Sequence, residues 1–322
     1  MKVLVTGVAG FIGSHVAEAL LARGDTVTGV DCFLDYYPRP VKERNLEGPR
    51  SHREFHFVEA DLATADLAPL VDGCGAVIHL AAQAGVRASW GQDFRIYVDS
   101  NIHATQRLLE ACSTREPPRV VYSSSSSIYG DAPDLPTVET TLPRPISPYG
   151  VSKLAAEHLC RLYTRANGVP TISLRYFTVY GPRQRPDMAF HRFLRAQLQG
   201  EELQLYDDGE QTRDFTFVAD AVAANVLSID NGTPGSAYNI GGGSRVSVNH
   251  VLKMIGELTG REPRVRRLDR QRGDVRDTHA LADAARDELR WSPKTALREG
   301  LAAELEWLRR EIEDPTGRYD GH

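Results

Sequence analysis

The sequence predicts an α/β fold: a doubly wound parallel sheet with helices on both faces, followed by a smaller mixed α/β domain. Three observations carry this. The first half alternates short apolar runs with helical patterns, as parallel strands covered by helices do. A glycine-spaced turn follows the first apolar run and opens the first helical stretch. Beyond Gly181 the alternation gives way to Gly/Pro/Arg-rich segments with fewer helices.

Taken in order, Lys2–Thr6 reads as a buried strand, and Gly13–Arg23 as a helix with Ile12, Val16, Ala19 and Leu20 at helical spacing. Thr26–Asp31, Glu54–Glu59 and Ala76–Leu80 are the next strands. Asn101–Cys112 is helical, with Ile102, Leu108 and Leu109 on its apolar side. Arg119–Ser123 is a strand whose end is the serine run Ser123–Ser127, because Val120-Val121 leads straight into it. Pro148–Asn167 is a long helix and Thr171–Tyr176 another strand. Helices near Phe190–Gln199 and Leu297–Ile312 complete the second part.

Composition limits the function classes. The chain has 322 residues, about two domains at roughly 100–200 residues each. Hydrophobic residues at 41% and charged residues at 25% exclude disordered and collagen-like classes. No apolar run approaches the ~20 residues that span a bilayer, and Met1–Gly7 lacks a signal peptide's apolar region. Cys32, Cys74, Cys112 and Cys160 are widely spaced, which fits a reducing cytoplasm. The ten histidines form no zinc pattern, so no metal is expected. A net charge of −5 argues against nucleic acid as a partner. One basic stretch stands out: Arg264, Arg266, Arg267, Arg270, Arg272 and Arg276 form either a solvated face or a site for a phosphate-bearing ligand.

Two motifs carry the chemistry. In Gly7-Val8-Ala9-Gly10-Phe11-Ile12-Gly13 the glycines let the backbone turn tightly and approach a pyrophosphate at a helix N-terminus. Asp31 ends the second strand, where its carboxylate can bond both ribose hydroxyls and repel a 2′-phosphate. Together they predict a Rossmann-type site for NAD rather than NADP. Tyr149 and Lys153 lie one helical turn apart, on one face. Tyrosine titrates near 10, and bringing it to about 7 takes about 4 kcal/mol, at ~1.4 kcal/mol per unit. The lysine ammonium and the oxidised nicotinamide are expected to share that task. Ser125, at a strand end, can bond the substrate oxygen, while Arg175–Pro186 begins as a strand and leaves as a polar loop that presents Thr178 and Arg185 at the domain junction. Arg213 is either a phosphate contact or half of a surface ion pair.

Over nearly its whole length the chain resembles the extended short-chain dehydrogenase/reductases, the nucleotide-sugar epimerase and dehydratase family. The carrying motifs are Thr6–Gly13, His79-Leu80-Ala81-Ala82, Ser123–Gly130, Tyr149–Lys153, Arg175–Pro182 and Arg213–Asp220. The resemblance implies that Ser125, Tyr149 and Lys153 are catalytic. It implies that Gly7, Gly10, Phe11, Ile12, Gly13, Asp31, Asp61, Leu62, Leu80, Ala81 and Ala82 bind NAD with Tyr149 and Lys153. Residues 1–177, with a return segment near 214–245, would form the NAD-binding domain, and 178–322 mainly the nucleotide-sugar domain.

Within that family, Phe177–Pro182 and Arg185–Ala189 are most similar to UDP-glucuronate 4-epimerases. The implied substrate is a UDP-sugar, with Ser126 beside it, and Thr178 and Arg185 on its C6 carboxylate. An Arg185 left unpaired would then penalise UDP-glucose. The family's Arg-x-Gly-Asp stands here as Gln271-Arg272-Gly273-Asp274, which leaves Arg272 and Arg213 as candidates for the diphosphate, beside Asp274. The implied reaction is redox-neutral epimerisation at C4 through a transient 4-keto sugar. The main alternative is a UDP-glucuronate decarboxylase, disfavoured because decarboxylases tend to carry glutamate where Ser127 stands. A UDP-glucose 4-epimerase comes third. The family also implies a homodimer, through the helices at Asn101–Cys112 and Pro148–Asn167.

Overall fold

A computed structural model describes residues 1–313. Among these residues twelve strands are formed: β1 Lys2–Thr6, β2 Thr26–Asp31, β3 Phe55–Glu59, β4 Ala76–His79, β5 Arg119–Ser125, β6 Thr171–Tyr176, β7 Thr178–Tyr180, β8 Leu203–Tyr206, β9 Thr212–Phe217, β10 Ala237–Ile240, β11 Arg245–Ser247 and β12 Val265–Leu268. Seven of them make one sheet in the order β10-β6-β5-β4-β1-β2-β3. All its pairings are parallel, with Thr6 opposite Val30 on one side and His79 on the other. β1, β4, β5 and β6 are buried along nearly their whole length, which is why they read as unbroken apolar runs.

The chain order reverses at β1. From there it runs outward through β2 and β3, then returns to β4 and proceeds the other way. Such a switch point opens a crevice at the carboxyl ends of β1 and β4, where doubly wound sheets bind ligands. Helices Phe11–Ala22 and Val218–Asp230 pack together over one face of the sheet. Helices Ala104–Cys112 and Pro148–Asn167 cover the other. The return segment thus adds both a covering helix and β10 to the main sheet.

The remaining strands form a three-stranded sheet, β11-β9-β7, and a two-stranded one, β12-β8. Under them lies a second core of Tyr180, Phe190, Leu194, Phe215, Val251 and Leu301, closed by helices Ala189–Gln199, Val248–Thr259 and Leu297–Glu313.

Local signals explain the helix that carries Tyr149. Ser147 caps it by accepting from the Gly150 amide at 3.1 Å, Pro148 occupies its first turn, and Gly168 ends it in the left-handed region at φ 72°. The expected helix at Asn101–Cys112 is more complex. An α-helical turn, Phe94–Tyr97, runs into a π-helical stretch, Val98–His103, before the regular helix begins at Ala104. The buried Asn101 accounts for it. Its Oδ1 accepts from the Gln83 amide at 2.7 Å, while Nδ2 donates to Gln83 O at 3.0 Å and Ser152 Oγ at 2.9 Å. A wider turn is a common means of presenting one side chain in this way. No helix among the described residues is long and apolar enough to cross a membrane.

Candidate active site

The glycine turn sits at the switch point. Gly7 adopts φ 69°, and a Cβ there would lie 2.7 Å from the Ala81 amide nitrogen. A Cβ on Gly13 would meet Gly7 O at 2.2 Å. Side chains at these positions would push the β1 end away from β4 and from its own helix. Gly10 precedes the helix with no side chain capping the first amides, which leaves them for an anionic ligand.

Asp31 closes β2 at the opposite wall. Its Oδ1 accepts from the Phe33 amide at 2.9 Å and its Oδ2 from Ala9 at 3.0 Å, so the carboxylate is held in place by backbone. Burial raises its carboxyl above the ordinary range, and these donors together with Lys42 pull against that rise. Asp61, just past β3, accepts from the Ala63 amide at 2.8 Å. One cleft unites Gly7, Gly10, Phe11, Ile12, Gly13, Asp31, Asp61, Leu62, Leu80, Ala81, Ala82, Tyr149, Lys153 and Arg185. A carboxylate at the second strand, an uncapped helix end and an apolar floor suit a dinucleotide bound along the strand ends.

At the far end of that cleft stand the groups for proton transfer. Ser125 ends β5, accepts from the Ser127 amide at 3.1 Å and stands close enough to the Tyr149 hydroxyl to favour its charged form. Burial pushes the Tyr149 phenol above its ordinary value, against the Ser125 hydroxyl and the Arg185 cation. Burial takes Lys153 down to about 7, against Cys160 and Glu157, which favour its charge. Its Nζ lies 4.6 Å from the centre of the Tyr122 ring. His79 is not a competing base: it is fully buried between Thr6 Oγ1 at 2.7 Å and Thr105 Oγ1 at 2.9 Å, and burial lowers it to about 3.

The expected substrate residues are spread more widely. Thr178 begins β7, two positions after Tyr176, which lines the cleft. Ser126 starts the short turn Ser126–Ile128 after Ser125. Arg185 reaches the cleft, but it is paired: Nε and Nη2 donate to Asp187 at 3.0 and 2.9 Å. The expectation of an unpaired arginine is therefore corrected. Among the described residues Arg213 makes no ion pair, one of its two expected roles. Its guanidinium donates to the carbonyls of Thr212, Val275 and Arg276 at 2.8 to 3.0 Å, pinning the chain there. Arg272 is exposed, 5.0 Å from the Trp90 ring centre, and Asp274 pairs with Arg87 at 2.7 Å.

Other residues of the cleft had no role assigned from the sequence. Tyr36, Lys42, Gln83, Ser124 and Tyr176 also line the cleft. The scarcity of lysine was a usable signal for Lys42. Arg87, outside the cleft lining, covers the Tyr206 ring at 4.0 Å and pairs with Asp274.

Comparison with known proteins agrees with this geometry. Residues 3–241 match the NAD dependent epimerase/dehydratase family. The chain belongs to that family. Among its relatives is YtcB of Bacillus subtilis, an uncharacterised UDP-glucose epimerase, 43% identical over 96% of this chain and 98% of that one. The UDP-glucuronate 4-epimerase of Thermodesulfobacterium geofontis is 36% identical over 96% and 97%. A solved structure of the UDP-glucuronic acid 4-epimerase from Bacillus cereus, in complex with UDP-glucuronic acid and NAD, superposes with a TM-score of 0.94 at 40% identity, covering 97% of this chain and all of that one. The NAD dependence named in the family's description fits the cleft's glycine turn and Asp31.

Proposed function

We propose that this chain is an NAD-dependent UDP-glucuronate 4-epimerase, interconverting UDP-glucuronate and UDP-galacturonate. The observation that carries this is the meeting of Tyr149, Lys153 and Arg185 on the cleft that begins at the Gly7 turn. Bound NAD supplies the acceptor and later the donor of the C4 hydride. Tyr149 takes the O4 proton as base and returns it as acid, with Ser125 bonding O4 and Lys153 adding positive charge when cofactor is present. Between these steps the 4-keto sugar turns over its ring. The nucleotide stays held as a pivot by the arginines beyond β7, with Arg213 and Arg272 the candidates at the diphosphate.

A 4-keto uronate is a β-keto acid, which loses carbon dioxide when the C5–C6 bond aligns with the carbonyl π system. We assign Arg185 and Thr178 to hold the carboxylate out of that alignment, since a planar guanidinium gives two parallel bonds where an ammonium gives one. Ser127, in place of glutamate, and the identities to UDP-glucuronate 4-epimerases support epimerisation over decarboxylation. The test is Arg185→Ala: KM for UDP-glucuronate rises about tenfold or more, since bonds to a charged group contribute ~1.5–3 kcal/mol, and UDP-pentose products increase. An unchanged KM contradicts the assignment.

We further propose a homodimer in the cytoplasm. Val151 and Leu162, 47% and 55% exposed on the Pro148–Asn167 helix, leave an apolar stripe for a symmetry mate. The four free cysteines fit a reducing compartment.

A further inference from the structure

The Arg185–Asp187 pair is built into the loop that carries it. Gly181 N donates to Glu304 Oε2 at 2.8 Å, and Arg183, in the left-handed region at φ 66°, grips Glu18 at 2.7 and 3.0 Å. Between that anchored base and the helix starting at Ala189, Asp187 meets the side edge of the guanidinium. Tyr36 Oη donates to Asp187 Oδ2 at 3.3 Å and lines the same cleft. Neither bond to Asp187 uses Nη1, so the Nη1–Nη2 end of the fork stays open to a second carboxylate.

We infer that Asp187 is a specificity-determining residue, an internal counter-carboxylate that sets how strongly the site prefers a uronate over a neutral hexose. This rests on the assignment of Arg185 to the sugar carboxylate. With Asp187 in place, a neutral C6 group leaves no bare cation in the cleft, and an incoming carboxylate meets a pair that is already neutral. Both effects narrow the preference. Without the Asp187 charge, a uronate gains the whole cation and a neutral hexose faces it unpaired. Asp187 acts through Arg185 and touches no reacting atom.

The experiment uses NAD-loaded wild type, Asp187→Asn and Arg185→Ala, titrated calorimetrically with UDP-glucuronate and with UDP-glucose. Asparagine keeps the shape and one acceptor oxygen but not the charge. The ratio of Kd for UDP-glucose to Kd for UDP-glucuronate is expected to rise about tenfold or more in Asp187→Asn, with UDP-glucuronate bound more tightly than by wild type. Asp187→Ser should move the ratio the same way. A residue that merely supported the loop would weaken both ligands instead. A ratio that is unchanged or falls in both variants overturns the inference, while Arg185→Ala still weakens UDP-glucuronate. If Arg185→Ala leaves UDP-glucuronate binding intact, the assignment of Arg185 fails, and this inference fails with it.

Discussion

Glu157 and Arg175 are joined by two bonds along one edge of the guanidinium in the interior: Oε1 accepts from Nη2 at 2.6 Å and Oε2 from Nε at 3.1 Å. Glu157 lies one helical turn beyond Lys153, and its Oε2 also accepts from Ser124 Oγ at 2.6 Å, next to Ser125. Arg175 reaches on to the Tyr129 hydroxyl at 2.6 Å and Glu139 O at 2.8 Å. A buried pair so fully bonded ties the Tyr149 helix to the end of β5.

Removing either charge alone strands the other. Glu157→Ala or Arg175→Ala should cost about 3–5 kcal/mol of unfolding free energy, and the double replacement less than the sum of the two. Urea unfolding of the three variants measures this. Additive losses would show that the pair carries no coupling.

Tyr149→Phe keeps the ring and removes only the proton acceptor. Its turnover should fall ~10²–10⁴-fold, while NAD released from the denatured protein stays at wild-type level. Lys153→Met should fall nearly as far. Residual activity above about a tenth of wild type would mean that another group is the base.

Stability should drop on acidification. His79 is lowered to about 3 by burial, and the Lys153 charge adds to this, whereas an unfolded histidine titrates at 6.5. Below pH 6.5 the unfolded chain therefore binds a proton that the folded chain refuses, so stability falls as pH falls. His79→Gln, neutral throughout, should recover roughly 2 kcal/mol of the loss between pH 6.5 and 5, at ~1.4 kcal/mol per unit. Denaturant midpoints at the two pH values decide it. Identical losses in wild type and variant would show that His79 contributes none of the slope.

The dimer proposal makes a simple demand. Light scattering at micromolar concentration should give about twice the 35.6 kDa chain mass, and Val151→Glu with Leu162→Glu should return the single-chain value. A wild-type mass of one chain contradicts it.

The central sheet was legible because its inner strands are buried on both faces and so read as unbroken apolar runs, and because Ser147, Pro148 and Gly168 mark the ends of the Tyr149 helix in the sequence. β7 and β11 were not, being three residues each and held by pairing with β9 rather than by pattern. The π-helical turn at Val98–His103 depends on Asn101 meeting Gln83, a tertiary contact that no local window contains. At the site, spacing brings Tyr149 and Lys153 to one cleft, but how deeply they are buried is not visible in it. Burial dominates both groups and works against charge. Asp187 stood in plain view two residues after Arg185, yet only the folded loop shows that its carboxylate turns back onto the guanidinium.

The most direct test of the whole account is a ¹H NMR time course of UDP-glucuronate with the purified protein and no added nucleotide. A cycle that returns its hydride needs only the NAD carried through purification. UDP-galacturonate should accumulate to a fixed ratio with UDP-glucuronate, with little pentose. UDP-xylose or a 4-keto-pentose as the main product would contradict the epimerase assignment, and would mean that Arg185 and Thr178 orient the carboxylate for departure.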